Sequence, residues 1–175
     1  RRGVNVIART AVDRVDTGAN LGATVHYRQG DSDEDRTAYG EVVLAAIGRV
    51  PNTDADWFRS NGLKLDERGY VTVDGYGRTN LDGVWALGDI TPGHALAHRA
   101  FEQGITIAEK IAGADPKPVI DDTVPQVVFS FPEAASVGLT LDQAKAREDV
   151  VEPKETAYPM LSNARMLMSG EGGSM

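Results

Sequence analysis

A glycine and an aspartate, Gly88 and Asp89, follow directly after the short apolar run at residues 84–87. The run predicts a buried strand, and in open α/β sheets ligands lie beyond the carboxyl ends of such strands. A glycine there lets a ligand approach the backbone, and an aspartate can accept hydrogen bonds from sugar-alcohol hydroxyl groups through both oxygens. The alternative, in which Asp89 only closes a turn, stays open on these two residues alone.

A second candidate site is the start of the helix predicted for residues 97–112, at Leu96, Ala97 and His98. The first amide N–H groups of a helix have no partner within the helix, and the helix dipole favours negative charge there. Backbone amides alone can therefore bind an anionic group at this position. The alternative is an ordinary helix start that faces water, with His98 as a surface or packing residue.

The third candidate is Gly48, which ends the continuous apolar run at residues 42–47. Such a run is typical of a strand buried on both faces, and the glycine would let a cofactor come close, with Arg49 free to pair with a carboxylate. The alternative is a simple exit from a strand with a solvated arginine. The neighbouring strands that the run requires are expected to be partly missing, which favours exposed apolar edges and self-association.

These candidates must be positioned by a chain whose patterns alternate between strand and helix. Strands are predicted at 4–8, 11–16, 23–28, 36–39, 70–73, 84–87, 127–129, 134–137 and 150–158. A helical turn is predicted around Trp57, and a helix at 140–146 with Thr140 as its N-cap. The long helix is expected to bury the apolar side formed by Ala97, Ala100, Phe101, Ala108, Ile111 and Ala112. Gly104 costs that helix about 1 kcal/mol, which close packing against another backbone would offset.

Composition excludes several classes of function. The chain has 175 residues with no cysteine, three histidines and a net charge of −8. The missing cysteines exclude disulfides, thiolate catalysis and most zinc sites within these residues. The acidic balance argues against a nucleic-acid partner, and no apolar run approaches the roughly 18 residues that a membrane-spanning helix needs.

Four segments, taken in order, resemble the pyridine nucleotide–disulfide oxidoreductase family of flavoproteins. They are Ala-Ile-Gly-Arg-Val-Pro-Asn (46–52), Thr-Asn-Leu-Asp-Gly-Val-Trp-Ala-Leu-Gly-Asp (79–89), Leu-Ala-His-Arg-Ala (96–100) and Pro-Glu-Ala-Ala-Ser-Val-Gly-Leu-Thr (132–140). Within the family, Leu-Ala-His-Arg-Ala with Glu102, Gln103 and Gly104 is most similar to the dihydrolipoamide dehydrogenase group. Ser-Asn-Ala-Arg (162–165) followed by Gly-Glu (170–171) is similar to the same group.

The resemblance implies an α/β fold with a Rossmann-like FAD/NAD(P)-binding part, followed by the start of an α+β dimerisation domain. Residues 1–47 would end the NAD(P)-binding domain, 48–122 would form the C-terminal part of the FAD-binding domain, and 123–175 would begin the dimer-interface domain. It also implies the cofactors FAD and NAD. Asp89 resembles the acid that holds the flavin ribityl chain, and Ala97 the backbone contact to the flavin ring. Gly48 resembles the glycine near the nicotinamide, and Gly88, Leu96 and His98 complete the expected cofactor contacts.

The activity implied by the resemblance is electron transfer from a dihydrolipoyl group, through a disulfide and FAD, to NAD. The expected partners are a dihydrolipoyl group on a carrier protein, or a small disulfide substrate, and a second copy in a cytoplasmic homodimer, with no nucleic acid and no membrane. The family's glycine-rich fingerprints, cysteine pair and C-terminal His-Glu pair are not in these residues, and His26, His94 and His98 do not match that histidine. We therefore expect an inactive fragment with no catalytic residue of its own. Two alternatives stay open, a related disulfide or quinone reductase and a non-enzymatic scaffold or assembly domain.

Overall fold

The computed structural model describes residues 3–18 and 22–170, apart from the side chains of Ser162 and Ser169. The chain divides into two compact units, Arg1–Arg49 and Val50–Met175, and each is described by itself. Helices and strands are both present, so the predicted mixed α/β class is confirmed. The predicted domain limits at 47/48 and 122/123 stay predictions.

The first unit is a three-stranded antiparallel sheet in the order β1-β2-β3. Its strands are β1 (Thr10–Thr17), β2 (Ala23–Gln29) and β3 (Arg36–Gly40). The strands predicted at 11–16, 23–28 and 36–39 are therefore confirmed. The central strand β2 is the most covered of the three, because it pairs with a neighbour on both edges. Polar and apolar residues alternate along it, since successive side chains of a strand point to opposite faces of the sheet.

A bidentate ion pair links β1 and β2 next to a register shift between Val12 and Arg14. Arg28 donates from Nη2 to Asp13 Oδ1 at 2.6 Å and from Nε to Asp13 Oδ2 at 2.9 Å. These two hydrogen bonds hold the pKa of the Asp13 carboxyl below its ordinary value and raise the pKa of Arg28. The pair is partly exposed, so its main effect is on protonation and local register rather than on global stability.

We expect the Asp13 carboxyl to titrate below the pH at which an unfolded aspartate titrates. Because folding lowers this pKa, the pair's contribution to the sheet is present above the unfolded pKa and is lost as the pH falls through the lowered one. Carboxyl-carbon NMR across an acid titration measures this directly. Arg28→Gln should return the Asp13 titration to the ordinary range, whereas Arg36→Gln, which removes the partner of Glu34, should leave it unchanged. An Asp13 curve that does not move in Arg28→Gln would contradict the assignment.

Two predicted strands of the first unit are wrong. Residues 4–8 and 42–47 have no regular secondary structure, and the second run is exposed rather than buried on both faces. Val42 and Leu44 are each 87% exposed and Ile47 is 94% exposed. A strand needs a neighbouring strand for its backbone groups, and within the described residues no strand pairs with either run. The exposed apolar surface that the sequence led us to expect is therefore present.

The second unit contains four helices, a small hairpin and three short 3₁₀ turns among its described residues. The helices are α1 (Asp56–Ser60), α2 (Ala97–Ile111), α3 (Leu141–Lys145) and α4 (Ala164–Ser169). The antiparallel hairpin pairs β4 (Gln126–Val128) with β5 (Ala134–Ser136), and the 3₁₀ turns are Gly88–Ile90, Asp121–Thr123 and Met160–Ser162. The helical turn near Trp57, the long helix and the strands at 127–129 and 134–137 are confirmed, with shifts of one or two residues at their ends.

A buried cluster of Phe58, Leu63, Val71 and Ala86 forms the core of this unit. The predicted strands at 70–73 and 84–87 are wrong, because each forms only one isolated bridge, Leu65 to Val71 and Arg78 to Trp85. Their apolar residues reach the core from a series of turns instead.

Aspartate side chains explain why turns replace these strands. Asp66 Oδ1 accepts from the amides of Arg68 and Tyr70, and Asp74 Oδ1 accepts in the same way from Tyr76 and Arg78. Such contacts between an aspartate and the backbone that follows it favour turns over extended pairing. The chain therefore folds back at both places before a ladder can extend.

The long helix α2 buries a different side from the predicted one. Arg99, Thr106 and Ile107 are buried, whereas Phe101 is 73% and Ile111 62% exposed. The apolar side is therefore uncovered within the described residues of this chain. The predicted close approach of another backbone at Gly104 is also wrong, because the nearest atom to a Cβ added there is in the side chain of Leu87, at 3.9 Å.

The helix predicted at 140–146 is observed as α3, and its predicted cap is confirmed. Thr140 Oγ1 accepts from the amide of Gln143 at 3.3 Å, and the amide of Thr140 donates to Gln143 Oε1 at 2.8 Å. This reciprocal pair is a capping box, which satisfies two amides that the helix leaves free. The strand predicted at 150–158 is wrong, since those residues have no regular structure.

Candidate functional site

The turn that follows residues 84–87 holds Gly88 tightly on both sides. The residue is buried with φ of 72°, a left-handed conformation that favours glycine. Its amide donates to Gln103 Oε1 at 2.8 Å, and its carbonyl accepts from the Thr91 amide at 3.0 Å and from Thr91 Oγ1 at 2.8 Å. A Cβ added to Gly88 would lie 3.3 Å from Cβ of Ala100, so helix α2 itself approaches this backbone closely.

Asp89 projects from this fixed turn with an exposed side chain. Within residues 3–18 and 22–170 its carboxylate has no hydrogen bond and no ion pair with another side chain or with the backbone. Both oxygens can therefore accept hydrogen bonds from outside the chain.

The start of α2 is open in a complementary way. Leu96 is the N-cap, no side chain caps the helix, and its first turn contains no acidic residue. The first helical hydrogen bond runs from the amide of Ala100 to the carbonyl of Leu96, and Ala97 and His98 before it are exposed. The free amides can therefore donate hydrogen bonds to an anionic or carbonyl oxygen, which the positive end of the helix dipole also attracts.

The His98 ring has a local structural contact. Its Nε2 donates to the carbonyl of Pro125 at 2.7 Å, which links the start of α2 to the segment entering β4. A second contact, between Nε2 of His94 and the side-chain amide of Gln126 at 3.2 Å, lies beside it. The His98 side chain therefore has the packing role that was raised as the alternative, whereas its backbone lies in the first turn of α2, the predicted site.

Arg99 was not singled out from the sequence, yet it is the charged side chain that organises this end of α2. It is 5% exposed, and its Nε donates to Asp121 Oδ1 at 2.6 Å while Nη2 donates to the carbonyl of Pro92 at 2.5 Å. These bonds join the loop after Asp89, the helix and the segment before β4. Gln103, four residues later on the same side of the helix, was quoted only for its resemblance. Their four-residue spacing places both on one side of the helix, but nothing in the sequence showed that this side packs against the rest of the unit.

Gly48 belongs to the first unit, where it has φ of 132° and open space around its Cβ position. The residue can be approached closely, as the sequence led us to expect. Its role beside a nicotinamide stays a prediction.

The second unit thus offers a carboxylate acceptor and a set of amide donors on adjoining elements, because the Gly88 turn packs against the first turn of α2. A ligand that presents hydroxyl donors to the carboxylate and acceptor oxygens to the amides would match this pair. Among the described residues, no three His, Cys, Asp or Glu side chains are grouped closely enough to hold a metal ion. No helix in the same part of the chain has the length and apolar character required to cross a membrane.

Comparison with known proteins identifies close relatives. Residues 1–104 match the family described as pyridine nucleotide-disulphide oxidoreductase. Dihydrolipoyl dehydrogenase of Cupriavidus necator is 39% identical over 171 residues, which are 97% of this chain and 35% of the relative. The protein of the same name from Geobacillus stearothermophilus is 41% identical over 164 residues, 93% of this chain and 33% of the relative.

Solved structures agree with these relatives. LpdA from Mycobacterium tuberculosis matches with a TM-score of 0.82 and 32% identity, covering 98% of this chain and 36% of that one. The HOCl-induced flavoprotein disulfide reductase RclA from Escherichia coli matches with a TM-score of 0.72 and 26% identity, covering 94% and 36%. These matches confirm the α/β fold with a Rossmann-like part. The chain spans about a third of the length of these relatives.

Proposed function

Because the chain belongs to the pyridine nucleotide-disulphide oxidoreductase family, we propose that it is part of a flavin-dependent dihydrolipoyl dehydrogenase. In this proposal residues 1–47 end the NAD(P)-binding domain, 48–122 are the C-terminal part of the FAD-binding domain, and 123–175 begin the dimer-interface domain. The names of the relatives from Cupriavidus necator and Geobacillus stearothermophilus support this assignment over other disulfide reductases.

One observation carries the proposal, namely the unpaired carboxylate of Asp89 beside the uncapped start of α2. Asp89 would accept hydrogen bonds from the ribityl hydroxyls of FAD, while the amides of Ala97 and His98 would donate to the acceptor oxygens of the flavin ring. The Leu96 amide donates to the carbonyl of His94, so Leu96 would contribute as the residue that opens the helix. The Gly88 turn holds the backbone next to Asp89 against helix α2, and Gly48 would lie near the nicotinamide of NAD. None of these residues exchanges electrons, so their work is to bind and orient.

The chemistry itself belongs to the cofactor. Bound FAD supplies the two-electron redox step that connects a dithiol with NAD. The proposed electron donor is a dihydrolipoyl group on a carrier protein, and the proposed assembly is a cytoplasmic homodimer formed through residues 123–175. The redox cysteines and the acid–base pair would come from parts of the protein outside these 175 residues, so the segment alone is expected to be inactive.

Asp89→Asn in the full-length flavoprotein should weaken FAD binding roughly ten- to hundredfold. A hydrogen bond to a charged acceptor contributes about 1.5–3 kcal/mol, and each 1.4 kcal/mol is a factor of ten. Titration of the apoprotein with FAD, followed by flavin fluorescence, measures the Kd.

Asp82→Asn is the matched control, since Asp82 is an exposed acid seven residues earlier in the same unit. It should leave the Kd unchanged. Equal FAD affinity in the Asp89 and Asp82 variants would rule out the proposed role. If Asp89→Asn weakens FAD binding but the unsubstituted full-length protein does not reduce NAD with dihydrolipoamide, the flavin site stands and the proposed substrate is wrong.

A further inference from the structure

We propose that Gln103 is a positioning residue that sets the distance between the two halves of the flavin site. The inference rests on the proposed function, because it concerns how the Asp89 carboxylate and the start of α2 are held in register. It comes from a single contact, the hydrogen bond from the Gly88 amide to Gln103 Oε1 at 2.8 Å.

The contact joins the two halves directly. Gly88 immediately precedes Asp89, and Gln103 lies on the same helix as the open amides around Ala97. A displacement of the Gln103 side chain therefore moves the carboxylate relative to those amides. No other element in the described residues accepts from the Gly88 amide.

Burial makes this bond difficult to replace. Gly88 is buried and closely packed on Ala100, and its hydrogen bond to the half-buried Gln103 is partly buried, so removal of the acceptor leaves the amide with reduced access to water. A buried donor without a partner is strongly disfavoured. The turn is then expected to shift until the amide finds another acceptor. Thr91 holds only the carbonyl side of Gly88, which leaves the amide side free to move.

The side chain needs only its acceptor oxygen for this role. Gln103→Glu keeps an oxygen at the same place, whereas Gln103→Leu has similar volume and no acceptor. Glu102 is the matched neighbour, because its side chain is exposed and makes no hydrogen bond with the described residues.

The test measures FAD affinity in the full-length flavoprotein and exchange of the Gly88 amide hydrogen in the 175-residue chain. Gln103→Leu should weaken FAD binding about five- to twentyfold and accelerate Gly88 exchange at least tenfold. Gln103→Glu should keep the FAD affinity and the Gly88 exchange rate within about threefold of those of the unsubstituted protein, and Glu102→Gln should change neither. In the double variant with Asp89→Asn, the loss from Gln103→Leu should largely disappear, since the residue acts through Asp89.

Two results would overturn the inference. One is faster Gly88 exchange with unchanged FAD affinity, which would give Gln103 a purely structural role. The other is a full additional loss in the double variant, which would separate Gln103 from Asp89. Failure of the proposed function itself is distinguishable, because Asp89→Asn would then leave FAD affinity unchanged while Gly88 exchange in Gln103→Leu still increased.

Discussion

Asp121→Asn should lower the free energy of unfolding of the second unit by about 2–4 kcal/mol, and Arg99→Met should lower it by less. The Arg99 side chain is 5% exposed, and that of Asp121 is 39% exposed. Asparagine keeps one acceptor oxygen for Arg99 Nε but removes the negative charge, so the buried guanidinium loses its counter-ion, and an uncompensated buried charge costs several kcal/mol.

Removing the base has a smaller effect because its former partners can be solvated. Asp121 faces water in part, and a methionine fills most of the volume of the arginine stem. The Nη1 atom of Arg99 is buried without a hydrogen-bond partner in the described residues, so the arginine is already under-compensated. The usual expectation that the more buried residue is the more costly to replace is therefore reversed at this pair.

Urea unfolding of the two single variants and the double variant measures these differences and the coupling between the two residues. Asp122→Asn, at the exposed acid next in sequence, is the control and should change stability by less than about 0.5 kcal/mol. A larger loss in Arg99→Met than in Asp121→Asn would show that packing, not the buried charge, dominates at this position.

Gly77→Ala should destabilise the second unit by about 2–5 kcal/mol. Gly77 has φ of 77°, which costs an L-residue about 1–2 kcal/mol. A Cβ there would also lie 2.8 Å from the carbonyl oxygen of Ala86 and 2.7 Å from Cδ1 of Ile107. Because the Ala86 oxygen belongs to the backbone, residues 84–87 must shift to make room. Overpacking of this kind adds about 1–3 kcal/mol.

Gly83→Ala separates the two contributions. Gly83 has nearly the same backbone angle, φ of 71°, but has no atom within 4 Å of its Cβ position. Its substitution should cost only about 1–2 kcal/mol, the conformational part alone. Thermal unfolding of both variants gives the comparison, and equal losses would show that the close contact at Gly77 relaxes without cost.

The sequence predicted best where local interactions decide the structure. The three strands of the first unit follow from alternation and polar turns, and the cap of α3 follows from Thr140 and Gln143, three residues apart. The candidates Asp89 and Ala97 were also chosen from local features, a residue after an apolar run and a residue opening a helix, and their contact with a flavin stays a prediction. These signals lie within a few residues of the positions that they predict.

The errors have one physical cause, which is that burial depends on partners distant in sequence. Residues 42–47 are apolar enough for a central strand, but they become one only where another strand supplies hydrogen bonds. The apolar side of α2 is likewise uncovered, because the rest of the second unit packs against the side of the helix that carries Arg99 and Ile107. Residues 70–73 and 84–87 reach the core through turns that Asp66 and Asp74 stabilise.

The amino-acid sequence by itself determined the family, the mixed α/β class and the residues proposed to touch a flavin, because motif order and short-range pattern are written along the chain. Only the tertiary structure decided which side of α2 is buried, that Gln103 holds Gly88, and that Arg99 binds Asp121. The last two contacts span 15 and 22 residues. No local propensity encodes which of many polar side chains will meet at that distance, since the meeting depends on how the whole unit packs.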